Sequence, residues 1–438
     1  VNLQAALELH RQGRLVEAEA MYRRALAQNP NDPSALHLLG VILHQNKKSA
    51  EGVLYIQKAI QLEPNIPAFH NNLGEALREL DRCEEAIASY QRALRLKPAY
   101  PEALNNMGGE YGRLAKMNEC VQCLRQSIAL KPSDPDAHWN LSVALLLMGE
   151  WAEGWNEFEW RLARPESPGR TYKKPVWAGQ SLVDKTLLLW SEQGFGDMIQ
   201  FFRYAAVAKR LGAKVILDMP VGLVDLFAAQ KVADRVISGS TSAPAFDYHL
   251  ALMSMPRVVG TTVQTVPDQA QYIRPSPDRS KYWEARLKPI TGRKIGLAWA
   301  GRPEHPNDRR RSIPAHLLQA LKTVPDATFF VVQPRSANTA LPPDLPLIDL
   351  GSELINFSET AALISQLDLL ITVDTSVAHL AGAMGKNTWL LLPFSPDWRW
   401  LMQSTHTPWY AAMKLFRQRK LGDWAEVVAR VVSELKST

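Results

Sequence analysis

The stretch N-I-P-A-F-H-N-N-L-G-E-A-L-R-E-L-D-R-C-E-E-A-I-A-S-Y-Q-R-A-L-R-L-K-P (65–98) decides the first part of the fold. Its last residue belongs to a series, since Pro30, Pro64, Pro98 and Pro132 recur every 34 residues. Gly40, Gly74, Gly108 and Ser142 keep the same step, as do Ala25, Ala59, Ala93 and Ser127. Small residues at two phases let a pair of antiparallel helices approach closely, and proline stops the second helix of each pair. Large apolar residues fill the seam: Leu39, Leu43 and Ile56 in one repeat, Leu73, Leu77 and Tyr90 in the next. A fixed period of this length predicts stacked helical repeats.

The pattern resembles the tetratricopeptide repeat, running for about 4.5 repeats to a degraded last one near Trp151–Arg161. Arg161 stands where the other repeats have Ala or Ser, so the final helix is expected to cap the array and meet the next domain. Stacked repeats present a concave face made by the first helix of each pair. Asn72, Asn106 and Asn140 recur on that helix, where side-chain amides can hydrogen-bond a peptide backbone without reading its sequence. Cys120 and Cys123 form a C-x-x-C, but Cys83 has a different phase and tetrahedral zinc wants four ligands, so packing is expected of all three.

The chain has 438 residues, 46% hydrophobic, three cysteines and a formal charge of +6. That length gives two to four domains with cores large enough to need no disulfide or metal staple. Three cysteines fit a reducing, cytoplasmic compartment. No apolar run approaches the ~18 residues of a membrane span, and V-N-L-Q-A-A-L-E-L-H-R-Q-G-R-L (1–15) reads as an amphipathic helix rather than a signal peptide. Residues 1–165 hold 18 Lys/Arg against 20 Asp/Glu, and residues 166–438 hold 32 against 24. An anionic ligand is therefore expected in the second part. The chain carries no RNA-recognition signature, zinc finger or dense basic tract, so nucleic acid is not an expected partner.

A proline-rich stretch, R-P-E-S-P-G-R-T-Y-K-K-P-V-W (164–177), reads as a linker. Beyond it short apolar runs alternate with helical segments. The first series contains T-L-L-L-W-S (186–191), K-V-I-L-D-M (214–219), R-V-I-S (235–238) and the run from Asp247 to Pro256. The second contains R-K-I-G-L-A-W-A-G (293–301), T-F-F-V-V-Q (328–333), L-I-D-L (347–350), L-L-I-T-V-D (369–374) and T-W-L-L-L-P (388–393). Two successive series imply two doubly wound domains facing a cleft. The expected division is repeats 1–165, linker 166–180, α/β domains 181–285 and 286–415, and a last helix in 416–438.

Four motifs occur in order: G-F-G-D (194–197), G-L-A-W-A-G-R-P-E-H-P-N-D-R-R-R-S-I-P (296–314), D-T-S-V-A-H-L-A-G-A-M-G (374–385) and P-D-W-R-W (396–400). Together they resemble the heptosyltransferase-type glycosyltransferases, and in particular bacterial proteins that join tetratricopeptide repeats to such a transferase. The resemblance implies a GT-B pair of Rossmann-like domains with a carboxyl-terminal crossover helix, a nucleotide-sugar donor, inversion, and no metal or other cofactor. In domain plan the chain is similar to O-GlcNAc transferase, whose asparagine ladder holds acceptor polypeptides.

On this reading Asp197 is the general base, and Gly194, Gly196, His249 and Ser254 face the acceptor together with the Asn72, Asn106 and Asn140 ladder. The other reading of Asp197 is a helix-start carboxylate that caps amides. The donor's diphosphate is expected on the amides of Ser376, Val377 and Ala378 at a helix start, with Thr375, His379 and Gly301 beside it. Arg311 matches the family's basic phosphate position and would stabilise the departing diphosphate. Asp374 orients the loop or holds a sugar hydroxyl or amine, and Phe357, Ser358 and Glu359 lie near the nucleoside or simply start a helix. The acceptor is a polypeptide, with a lipid-linked or envelope saccharide as the alternative. A non-catalytic repeat scaffold that binds nucleotide is the third reading.

Overall fold

A computed structural model describes residues 2–167, 169–239, 244–267, 270–305, 307–333 and 340–437. Pro168 of the linker and Pro306 of the second motif lie outside the described residues. The chain divides into two compact units, Val1–Ala144 and Leu145–Thr438.

The first unit is built from paired helices. They are Leu3–Arg11 with Leu15–Gln28, Pro33–Gln45 with Ser49–Leu62, Pro67–Glu79 with Cys83–Leu96, and Pro101–Arg113 with Met117–Leu130; Pro135–Met148 follows. Pro33, Pro67 and Pro101 occupy the first turn of their helices, where the missing N–H costs nothing. The small residues sit where the helices touch. A Cβ on Gly74 would come within 2.5–2.8 Å of three Tyr90 ring atoms, and one on Gly52 within 2.6 Å of the Gly40 carbonyl oxygen. Tyr22, Ile56, Tyr90 and Leu124 are fully enclosed by these pairs.

A further 34-residue series appears only in the backbone. Gly13, Lys47, Asp81, Ala115 and Gly149 all have φ between 57° and 88°. Each reverses the chain between the first and second helix of a pair, and only two of the five are glycine. A left-handed L-residue costs about 1–2 kcal/mol, so the turn geometry is imposed by the packing of the two helices.

The second unit starts with the end of Pro135–Met148, helix Trp151–Phe158 and the 3-10 turn Glu159–Ala163. Two sheets follow. The first holds β1 (Thr186–Trp190), β2 (Lys214–Asp218), β3 (Arg235–Ile237) and β4 (Tyr248–Ala251), all parallel, in the order β3-β2-β1-β4. The second holds β5 (Arg293–Ala298), β6 (Ala327–Val331), β7 (Leu347–Asp349), β8 (Leu369–Val373), β9 (Thr388–Leu392), β10 (His406–Thr407) and β11 (Tyr410–Arg417). Its order is β10-β11-β9-β8-β5-β6-β7, parallel except for β10 against β11. β8 and β9 are buried at every residue, as strands with both faces covered must be.

Several elements depart from the sequence reading. The helix after β1 breaks at Phe202 into Phe195–Phe201 and Arg203–Arg210, and residues 315–323 form 3-10 turns. β11 fills a stretch assigned no element, because Y-A-A-M-K-L-F-R mixes Ala and Lys into its apolar run. The last helix, Trp424–Ser437, covers the second sheet: Trp424, Val427, Val428, Val431 and Leu435 pack with Ile295, Leu321, Trp389 and Phe416. The crossing to the first sheet is made instead by residues 397–410.

That crossing is aromatic. Trp151 stacks on Trp409 at 5.2 Å, Trp155 meets Trp398 edge-on at 5.3 Å, and Phe201 lies 5.8 Å from Trp409. The degraded last repeat is thus part of the core of the α/β unit. Arg161 explains why it broke the repeat pattern. Its buried guanidinium is bidentate on Glu192 at 2.6 and 3.0 Å and also reaches Ser254 Oγ at 2.7 Å and Glu159 at 2.8 Å.

Replacing Ala115 with Gly should stabilise the repeats by about 1 kcal/mol, because it relieves the left-handed residue. Gly74→Ala should cost about 1–3 kcal/mol through overpacking against Tyr90. Urea unfolding of the full chain, followed by circular dichroism at 222 nm (a wavelength at which helix dominates), reads both.

Candidate functional site

In doubly wound sheets a ligand crevice opens outside the carboxyl ends of the strands, where the strand order reverses. In the first sheet β1 lies between β2 and β4, and in the second β5 lies between β6 and β8. The loops leaving β1, β4, β5 and β8 therefore border the two crevices. Those loops carry G-F-G-D, M-S-M-P, A-G-R-P-E-H and D-T-S-V-A-H.

The β1 and β8 loops meet. A Cβ on Gly196 would lie 2.8 Å from His379 Cδ2 and 3.5 Å from Ser376 Cα, so only glycine lets the two helix starts approach this closely. Phe195 packs edge-on against Phe357 at 5.2 Å, which brings in the helix Phe357–Ser365. Asp197 accepts the Gly194 N–H at 2.9 Å and forms an ion pair with Arg399. Its side chain keeps 19% of its surface. Burial pushes its pKa up; Arg399 opposes that and Asp397 adds to it.

At the end of β8, Asp374 accepts the Trp400 indole N–H at 2.9 Å and has His379 Nε2 at 3.7 Å. Burial, reinforced by Asp397, pushes its pKa up to about 6. Thr375 is the N-cap of helix Ser376–Ala383 with extended backbone, and its buried Oγ1 has no hydrogen-bond partner. Ala378 N–H is spent on Thr375 O, which leaves Ser376 and Val377 as the amides at the open helix start. His379 is placed as a packing histidine rather than a phosphate donor. It is buried, stacked on Trp400 at 5.4 Å and bonded through Nδ1 to Tyr410 OH at 2.9 Å. Burial holds its pKa well below the usual imidazole range.

The loop after β5 is folded on itself. Gln333 Oε1 accepts from Trp299 and Ala300 N–H at 2.8 and 3.1 Å, and Gly301 N–H donates to Ser312 Oγ at 3.1 Å. A Cβ on Gly301 would overlap Asp308 and Arg311. Arg311 lies in the turn Asp308–Arg311, its Nε 3.3 Å from Asp308 Oδ1 and its side chain 19% exposed. A cavity of about 190 Å³ beside this loop is lined by Trp299, Gly301, Pro303, Asp308 and Ile313 among others.

Other candidates are held elsewhere. Glu359 is taken by Arg279 and by the Trp283 indole at 3.0 Å, and Asn356, not Ser358, caps its helix, so Glu359 is a structural carboxylate. Phe357 and Ser358 open that helix. Ser254 is enclosed between Arg161 and Glu159, and its hydroxyl is hydrogen-bonded to both. His249 is buried under Tyr172, 4.7 Å away, and its Nδ1 accepts the Trp190 indole N–H at 3.3 Å. Each ladder asparagine donates to a side chain of the preceding repeat. Asn72 donates to His37 at 2.9 Å, Asn106 to Asn71 at 3.4 Å, and Asn140 to Asn105 at 2.9 Å. All three Asn remain partly exposed. Cys83, Cys120 and Cys123 are free and buried, and burial pushes their thiols to about 11, 12 and 11. Among the described residues no group of three or more His, Cys, Asp or Glu is arranged to hold a metal ion, and no helix is long and apolar enough to cross a membrane.

P-D-W-R-W reads in the sequence as packing near a sugar or holding the carboxyl-terminal crossover, and the pairings of Asp397, Arg399 and Trp400 are not written in it. Their only signal was a basic residue set between two tryptophans just beyond a buried strand.

Tetratricopeptide repeats are present in the first unit. Family models described as tetratricopeptide repeat match residues 3–65 and 101–134, and one described as TPR repeat matches 74–114. Protein FlbA of Caulobacter vibrioides is 26% identical over 325 residues, covering 67% of this chain and 54% of FlbA. The chain thus spans about half the length of that curated relative. Among solved structures, a thermophilic TPR protein in Thermus thermophilus is 24% identical over 37% of this chain and 89% of its own (TM-score 0.34). MamA from Desulfovibrio magneticus is 17% identical over 37% and 94% (TM-score 0.34).

Arg161→Met should lower stability by about 3–5 kcal/mol, because it strands Glu192 without its partner in a buried place; urea midpoints measure this. Asp374 binds its proton more tightly in the native state than in the unfolded chain, where it titrates near 3.9. Its contribution to stability is therefore full below about pH 4 and is lost as pH rises through about 6. Between pH 4.5 and 7 the wild type should lose stability relative to Asp374→Asn.

Proposed function

We propose that the chain is an inverting, metal-independent glycosyltransferase of the GT-B type. It moves a sugar from a nucleotide-sugar donor to a hydroxyl on a polypeptide recruited by the repeats. The observation that carries this reading is the close approach of Gly196 to Ser376 and His379, which brings the strand-order reversals of two parallel sheets onto one crevice. The order of the four motifs along the chain supports it. So does the similarity to FlbA, whose 67% coverage extends well beyond the repeats. Tetratricopeptide repeats are a scaffold for protein interaction, and the partly exposed asparagines are suited to a polypeptide's backbone.

In the reaction Asp197 takes the acceptor hydroxyl's proton as its oxygen attacks the anomeric carbon. The bond from that carbon to the diphosphate oxygen breaks, and the electron pair leaves with the nucleoside diphosphate. The amides of Ser376 and Val377, the orphaned Thr375 hydroxyl and Arg311 receive the negative charge. Asp374 keeps an oxygen available to a sugar hydroxyl while Trp400 fixes its orientation. Attack from the face opposite the leaving group inverts the anomeric centre.

The ion pair of Asp197 with Arg399 favours a second reading, a scaffold that binds nucleotide without turnover. One experiment separates them. Under the transferase reading, Asp197→Asn lowers transfer by about 10²–10⁴-fold. It leaves the thermal shift produced by UDP-, GDP-, ADP- or dTDP-sugar unchanged, and EDTA leaves wild-type transfer unchanged. Equal product from wild type and Asp197→Asn removes the base assignment, and no product from any donor favours the scaffold.

A further inference from the structure

We infer that Arg399 is a positioning residue that orients the Asp197 carboxylate and supplies its counter-charge from the 397–410 segment. This deepens the transferase reading by naming the residue that positions the same carboxylate, and it rests on that reading for its functional meaning.

The geometry is that of a clamp. Arg399 follows the last buried strand of the second sheet, yet its guanidinium is spent on the first α/β layer. Nη2 pairs with Asp197 Oδ1 and Nε donates to Gln200 Oε1, so two residues on one helix are gripped. Nη1 returns to Asp397 Oδ1 at 2.8 Å, and the guanidinium lies over the Trp398 ring at 4.2 Å. The side chain is only 7% exposed. The contact is therefore largely shielded from water, where an ion pair is strengthened and a lone carboxylate is disfavoured. Trp398 and Trp409 anchor the segment in the aromatic cluster with Trp155 and Phe201. This grip favours the charged form of Asp197 against its burial and fixes the direction of its carboxylate.

The charged groups that act on Asp197 come from four places. Arg399 and Asp397 come from the segment, and the Gly194 N–H from its own loop. Glu192 comes from the end of β1, and His305 from the loop after β5. Asp397 and Glu192 favour the protonated carboxyl; Arg399 and the Gly194 amide favour the carboxylate.

The test reads ionisation directly. Full-length protein labelled with [γ-¹³C]aspartate is titrated by NMR without donor, and the Asp197 resonance is assigned by its loss in Asp197→Asn. In Arg399→Gln, Asp197 should titrate about one pH unit or more higher than in the wild type, and Arg399→Lys should restore most of the difference. Asp397→Asn should move it the opposite way, since it removes a competing anion and frees Arg399 for Asp197. An Asp197 titration unchanged in folded Arg399→Gln overturns the inference. If that variant does not fold, an unchanged titration in Asp397→Asn overturns it equally. Because no turnover is needed, a chain that shows these shifts but transfers no sugar disproves the transferase reading and leaves the clamp standing.

Discussion

Gly196 is the point on which the second unit turns. Its missing Cβ lets the helix after β1 rest against the helix after β8, and a methyl group there would have to displace the His379 imidazole. That imidazole cannot retreat, since His379 is wedged between Trp400 and Tyr410. Trp400 in turn fixes Asp374, and its neighbour Arg399 fixes Asp197. One close approach thus propagates through buried aromatic and ionic contacts to Asp374 and Asp197.

Much of the architecture was legible because it is written in periods. The prolines, glycines and alanines at 34-residue steps required paired helices, and the apolar runs required buried parallel strands. The left-handed turn series is not legible, because Lys47, Asp81 and Ala115 do not advertise their backbone angle. β11 was missed because an alternation interrupted by Lys414 looks like neither a core strand nor a helix. At the crevice, the sequence could name Asp197, Asp374 and Gly196 from their motifs. It could not pair Asp197 with Arg399, 202 residues away, because nothing local to either residue encodes the other.

The charge ledger reads differently once the fold is known. Residues 166–438 carry an excess of Lys and Arg, which pointed to an anionic ligand. Several of those cations are consumed internally. Arg203 is 1% exposed, donating to Pro267 O, Trp409 O and Tyr272 OH beneath the rings of Tyr272 and Tyr410. Arg399 and Arg170 are bound to Asp197 and Asp218. Net charge overstates the field at the crevice, and Arg311 is the cation whose position at a β-strand exit makes it relevant there.

The tryptophan cluster has an optical consequence. Trp151, Trp155, Trp398 and Trp409 stand within 5.2–6.4 Å of one another along the contacts described. At such separations the ultraviolet transitions of the indoles couple. They belong to the last repeat helix and to the segment carrying Arg399, so the near-ultraviolet dichroism of the protein carries a signal from the packing of these two elements on each other.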